Sequence, residues 1–179
     1  KNNSGNSRQT IVDLEYIEKR EPPTPPPDPP ETPPDPVDTS WLDLITHDFD
    51  IAVIMNWESN SMADIDLHGF IGKKEVCYTN YGDDDFKLDW DWRSHMSNTN
   101  PEVMTVKGHK DESLGVYIHN YNPTSLNQPV NVRIYSKDRY KLLKEYNVNL
   151  PNDNEYKIGV CSIDLNTLVI ADLNDKIGF

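Results

Sequence analysis

Asp64, Asp66 and His68 stand at alternate positions of "ADIDLHGF", residues 63–70, with Ile65 and Leu67 between them. In an extended strand such residues share a face, about 7 Å apart by strand rise. Two carboxylates at that separation repel each other unless something positive lies between them. The spacing recurs at Asp89 and Asp91 in "KLDWDW", preceded by Asp83, Asp84 and Asp85 in "YGDDDF" and followed by Asn98, Asn100 and Glu102 in "NTNPE". Oxygen-rich sets of this kind suit a hard cation, and calcium takes about six to eight oxygens from carboxylates, carbonyls and water. We therefore expect Asp64, Asp66, Asp89, Asp91 and Glu102 to converge on one calcium ion. His68 and Asn100 are expected beside these ligands rather than among them, since a hard site prefers carboxylate oxygen to imidazole.

Other chemistries need residues this chain spaces differently. A zinc site calls for more nitrogen or sulfur, and His47, His95, His109 and His119 are scattered without ligand spacing, so zinc is not expected. Paired carboxylates also serve glycoside hydrolysis, which leaves a carboxylate-dependent hydrolase as one alternative. No G-x-S-x-G, H-E-x-x-H or phosphate-binding glycine loop accompanies them, and we read the chain as non-catalytic. The plainest alternative for the acids is a solvated face that keeps an edge strand from pairing with another chain. Trp90, Trp92 and Tyr81 lie among the acidic residues. Buried, they would belong to a core; exposed, flat rings beside carboxylates would make a candidate ligand-binding surface for a glycan or a surface protein.

The elements that must hold these residues are strands. From residue 48 onward the chain shows short β-branched and aromatic runs, each closed by Asn, Asp, Gly or Pro. They predict strands at 48–57, 63–70, 73–79, 101–107, 114–121, 129–136, 139–147, 155–164 and 167–172. Nothing of useful length has helical periodicity, so the fold class is all-β, an antiparallel, jelly-roll-like β-sandwich over residues 41–179. Ile65 and Leu67 would enter its core.

Ahead of the sandwich the composition changes abruptly. Ten of the fourteen prolines fall in "EPPTPPPDPPETPPDPV", residues 21–37, interrupted mainly by Asp, Glu and Thr. Fixed φ angles, few amide donors and self-repelling charge predict an extended polyproline spacer over 21–40. Residues 1–20 form a separate segment whose Ile11, Leu14, Tyr16 and Ile17 suit docking to a larger assembly, against the alternative of a tail without a partner. The chain starts at Lys1, so it is expected to be processed or cut from a longer protein. A formal net charge of -13 over 179 residues argues against nucleic acid and anionic membranes as partners, and no apolar run is long enough for a membrane span. Cys77 and Cys161 both sit in strand-like contexts and fit either one disulfide or two buried thiols.

The order "IAVIMNW", "DIDLH", "LDWD", "PE", "LGVYIHNY" and "YKIGVCSID" resembles the bacterial YfaP-like family, the DUF2135 domain, over roughly residues 48–170. Asp64, Asp66 and His68 match its D-x-D-L-H strand, Asp89 and Asp91 its L-D-x-D segment, and Glu102 its G-P-E turn. Thr99 and Asn100 replace the glycines expected before that Pro-Glu pair, so this turn's backbone departs from the pattern. The resemblance implies a small β-sandwich accessory domain of secreted or surface proteins, calcium-stabilised and without catalytic role. Joined to the spacer, it implies a head displayed outside the cell or on a virion surface, acting in adhesion or recognition. The alternative is a purely structural accessory domain of a secreted or virion assembly.

Overall fold

A computed structural model describes residues 39–58, 62–92 and 101–179. Residues 1–38, with the docking segment and nearly all of the proline-rich spacer, lie outside the described residues, as do His95, Asn98 and Asn100. From residue 39 the chain forms two antiparallel sheets packed face to face. The strands are β1 (Ile51–Asn56), β2 (Ile65–Ile71), β3 (Lys74–Val76), β4 (Gly82–Asp83), β5 (Phe86–Trp90) and β6 (Glu102–Val106), then β7 (Ser113–Asn120), β8 (Val130–Ser136), β9 (Leu142–Val148), β10 (Lys157–Asp164), β11 (Ile170–Asp172) and β12 (Lys176–Ile177). One sheet runs β4-β5-β6-β1-β8-β9 and the other β11-β10-β7-β2-β3, with β12 added to β10. This is an all-β sandwich.

Alternation explains which side chains fill it. Ile65, Leu67 and Ile71 of β2 enter the main core with Leu114, Val116 and Ile118 of β7, Val160, Cys161 and Ile163 of β10, and Phe86, Leu88, Met104 and Val106 from the facing sheet. β1 is apolar at every buried position because both its faces are covered. Ile51, Val53 and Met55 join the main core, whereas Ala52 and Ile54 meet a second cluster made by Trp41, Phe49, Val103 and Tyr135. Trp41 sits in a short 3-10 turn, Ser40–Leu44, and the segment from 39 to 49 lies against the outer face of the first sheet. Trp41 is fully buried, its ring 5.0 Å from Tyr135 and 6.1 Å from Phe49.

Three elements were not foreseen: β4, β5 and β12. The alternation of Phe86 and Leu88 with Lys87 and Asp89 was present in "FKLDW", but the density of acids makes that stretch read as a loop. Gly82 lets β4 turn into β5: its φ is +80°, and a Cβ there would lie 2.0 Å from the Phe86 carbonyl oxygen. Cys77 and Cys161 are both buried free thiols, which resolves the two options in favour of no disulfide.

Candidate metal centre

The acids meet where β2 loses its neighbour. β3 pairs only with residues 69–71 of β2, so the backbone ahead of Gly69 has an open edge facing β6 of the other sheet. Glu102, the first residue of β6, closes it: its Oε2 accepts the Leu67 N–H at 2.8 Å and its Oε1 accepts the Trp92 N–H at 3.3 Å. Asp66 leaves β2 on the same side, and Asp91 follows the end of β5. Among the described residues, Asp66, Asp91 and Glu102 each place one carboxylate oxygen within 4.8 Å of the other two. Asp64 completes the surroundings, lining with Asp66, Asp91, Tyr78 and Tyr121 a cavity of ≈ 140 Å³. Tyr81 donates its hydroxyl to Asp91 Oδ2 at 2.8 Å.

Three carboxylates this close, two of them buried, make a strongly negative pocket. Burial pushes the Glu102 carboxyl well above the usual carboxylate range, and the charges of Asp66 and Asp91 push it the same way, against the two backbone donors. Such a set takes up a proton or a cation. Each carboxylate still has lone pairs to offer, since an ionised carboxylate can accept at about four positions. The residues fit a metal ion.

Asp89 does not join them. Its side chain is on the outer face of the first sheet, with Oδ1 2.7 Å from His47 Nε2 and Oδ2 accepting the Thr105 hydroxyl at 2.6 Å. A bulge causes the separation: Leu88 pairs with Met104 but Trp90 pairs with Val103, so β5 carries one extra residue there. Asp89 and Asp91 therefore fall on opposite faces, and Asp91 comes level with Glu102. The expectation of five converging acids is corrected to Asp66, Asp91 and Glu102 around one point, with Asp64 in the cavity wall.

The histidines are less scattered in the fold than in the sequence. Asp66 pairs directly with His119 across the β2–β7 ladder, which makes His68 a diagonal neighbour of the same residue. Both rings are buried, with centroids 5.9 Å apart. His68 Nδ1 lies 2.8 Å from Glu75 Oε1, and His119 Nδ1 lies 3.4 Å from Asp66 Oδ2. Burial lowers the His68 pKa despite the acids beside it. Spacing in sequence could not show this pairing, because it depends on the register between strands some 50 residues apart. The outward alternation of Tyr117 and His119 in "GVYIHNY" was the one available signal.

The three aromatics expected near the acids are only partly covered. Trp90 and Trp92 stack at 6.5 Å and 26°, with Trp92 packed partly against the core, and Trp90 and Tyr81 are both exposed. Among the described residues no helix is long and apolar enough to cross a membrane. No protein-family model matches the sequence, and no curated protein does either. The resemblance to the YfaP-like family accordingly rests on the order of its motifs.

Proposed function

We propose that the chain is a non-catalytic, jelly-roll-like β-sandwich head of the YfaP-like kind, stabilised by calcium held at Asp64, Asp66, Asp91 and Glu102. The observation that supports this most is the buried Glu102 carboxylate, fixed by two backbone donors and set against two further carboxylates. All-oxygen donors beside a cavity of ≈ 140 Å³ favour calcium over zinc, and solvent would supply the remaining ligands. On this reading the metal locks the open edge of β2 to β6, so that the two sheets are tied at one end. The proline-rich spacer then displays the head outside the cell or on a virion surface, and residues 1–20 attach it to a larger assembly.

Thermal unfolding of the full chain in calcium and in EGTA tests the metal. Calcium at 100 times its dissociation constant should stabilise the wild type by about 2.7 kcal/mol, and Asp91→Asn should remove most of that gain. A wild-type transition that calcium leaves unmoved would sink the calcium reading. Adhesion or recognition, as opposed to a purely structural accessory role, draws support from the stacked Trp90–Trp92 pair, with Trp90 exposed. Binding on a glycan array that Trp90→Ala abolishes is the expected result; a blank array and no binding to host-surface proteins would favour the structural role.

A further inference from the structure

The outer face of the second sheet carries a second convergence, which shares only Asp66 with the acidic set. Asp66, His68 and His119 are 4%, 1% and 3% exposed, and one donor atom from each lies within 4.8 Å of the other two. Each of them also retains an atom without a hydrogen-bond partner: Asp66 Oδ2, His68 Nε2 and His119 Nδ1. Orphaned polar atoms are costly in a protein interior, and three in one cluster call for a common partner.

The remaining ring nitrogens show what kind of partner. His68 Nδ1 is 2.8 Å from the Glu75 carboxylate, and His119 Nε2 is 3.2 Å from the Asn154 carbonyl oxygen. Both partners are acceptors, so each ring carries its proton on that side. In the neutral form of both rings that leaves His68 Nε2 and His119 Nδ1 as lone pairs beside the Asp66 carboxylate, His119 Nδ1 and Asp66 Oδ2 being 3.4 Å apart. A carboxylate or carbonyl behind each ring is the arrangement that orients histidines toward a metal. Glu75 is itself held, with Lys157 Nζ 3.2 Å from the same oxygen.

We infer that Asp66, His68 and His119 bind a first-row transition-metal dication of the zinc type. Two imidazoles and one carboxylate are a three-ligand set that leaves a fourth position for water or an exogenous ligand. The rings of Tyr78, Tyr121 and Phe179 surround the histidines, Phe179 lying 4.5 Å from His119. Tyr78 and Tyr121 also line the cavity of the acidic set, so the fourth position has a route to solvent. Calcium does not suit this set, because hard cations take oxygen. Asp66 is the one residue common to the two sites, and the inference does not depend on calcium filling the other.

The full chain, stripped with a chelator, is titrated with Zn²⁺ against a chromophoric competitor and with Co²⁺ by visible absorption. One equivalent of zinc and the intense cobalt spectrum of a four- or five-coordinate site with nitrogen ligands are expected. His119→Ala and His68→Ala should weaken zinc binding by more than about 100-fold, and Glu75→Gln by about 10- to 100-fold, the usual effect of losing an orienting partner. Asp89→Asn, which touches neither set, should leave zinc affinity unchanged, and Asp91→Asn should weaken it less than either histidine variant. The weak spectrum of six-coordinate cobalt with oxygen ligands in the wild type would overturn the inference without any variant. So would zinc binding that survives His119→Ala or disappears in Asp91→Asn, since the ion would then sit among the acids. Calcium stabilisation is scored separately: its absence alongside intact zinc binding would reject only the calcium reading.

Discussion

Glu102→Gln separates a charged ligand from a structural acceptor at the same place. The side chain is fully buried, and glutamine matches it in size. One amide oxygen can keep the 2.8 Å bond from the Leu67 N–H, while the amide NH₂ then faces the Trp92 N–H and loses the 3.3 Å bond. That loss costs about 1 kcal/mol and is partly offset by relief of repulsion from Asp66 and Asp91. In EGTA at neutral pH the variant should therefore stay within about 1 kcal/mol of the wild type. In calcium at 100 times its dissociation constant the wild type gains about 2.7 kcal/mol. For a domain of this size that is a rise in Tm of about 5–10 °C, and the variant should lose most of it.

The same variant has a signature in pH. With Glu102 held above the ordinary carboxylate range in the metal-free fold, the folded state binds more protons than the unfolded chain between the unfolded value, about 4.3, and the raised folded value. Stability in EGTA is thus favoured below that window and falls as pH climbs through it. Glutamine does not titrate, so the variant's profile lacks this decline, and calcium should abolish the decline in the wild type by taking the proton's place. Differential scanning calorimetry at several pH values, with and without calcium, reads all of these quantities. If wild-type and variant profiles superimpose in EGTA and calcium moves both equally, the charge on Glu102 does none of what is argued for it.

Three further outcomes follow from the packing. Asp89→Asn should retain the whole calcium shift while losing about 1–3 kcal/mol from its bonds to His47 and Thr105; a calcium shift that vanishes would place Asp89 back among the ligands. Trp41→Ala should cost about 3–5 kcal/mol in urea denaturation, as for a fully buried large aromatic. A cost under about 1 kcal/mol would mean that the segment from 39 to 49 is not part of the folded unit. The Cys161 thiol, pushed up to about 12 by burial, should resist a thiol reagent at pH 8 until urea is added, and labelling of both cysteines in the native protein would contradict the burial shown for them.

The sandwich itself was legible because half-covered strands alternate. Ile65 and Leu67, alternating with Asp66 and His68, announce which face of β2 enters the apolar core, and the apolar run at 51–55 announces a strand covered on both faces. The meeting of Asp66, Asp91 and Glu102 could be suspected from density of acids alone. That Asp89 would turn away could not, since a single extra residue in β5 reverses the alternation and leaves no mark in the spelling of "LDWDW". His119 was missed for a different reason. Its neighbours Asp66 and His68 are supplied by inter-strand register, which local pattern does not encode. Trp41 stands at the first residue of the sandwich read from the sequence, but no strand is predicted around it and nothing in the pattern marks the separate cluster that its ring fills.

That Trp41 plug has a mechanical consequence. The chain passes from it through Phe49 directly into β1, the strand hydrogen-bonded on both sides, to β6 and to β8. Tension arriving from the N-terminal side must first extract a buried indole. It would then pull β1 along its own axis, straining two ladders in parallel by shear instead of peeling one edge bond by bond. An all-β domain loaded in this way yields abruptly and at high force, so the Trp41 segment would act as a strain gauge set in series with the sandwich. Single-molecule stretching would resolve it as a small early event that Trp41→Ala erases, ahead of the rupture of β1.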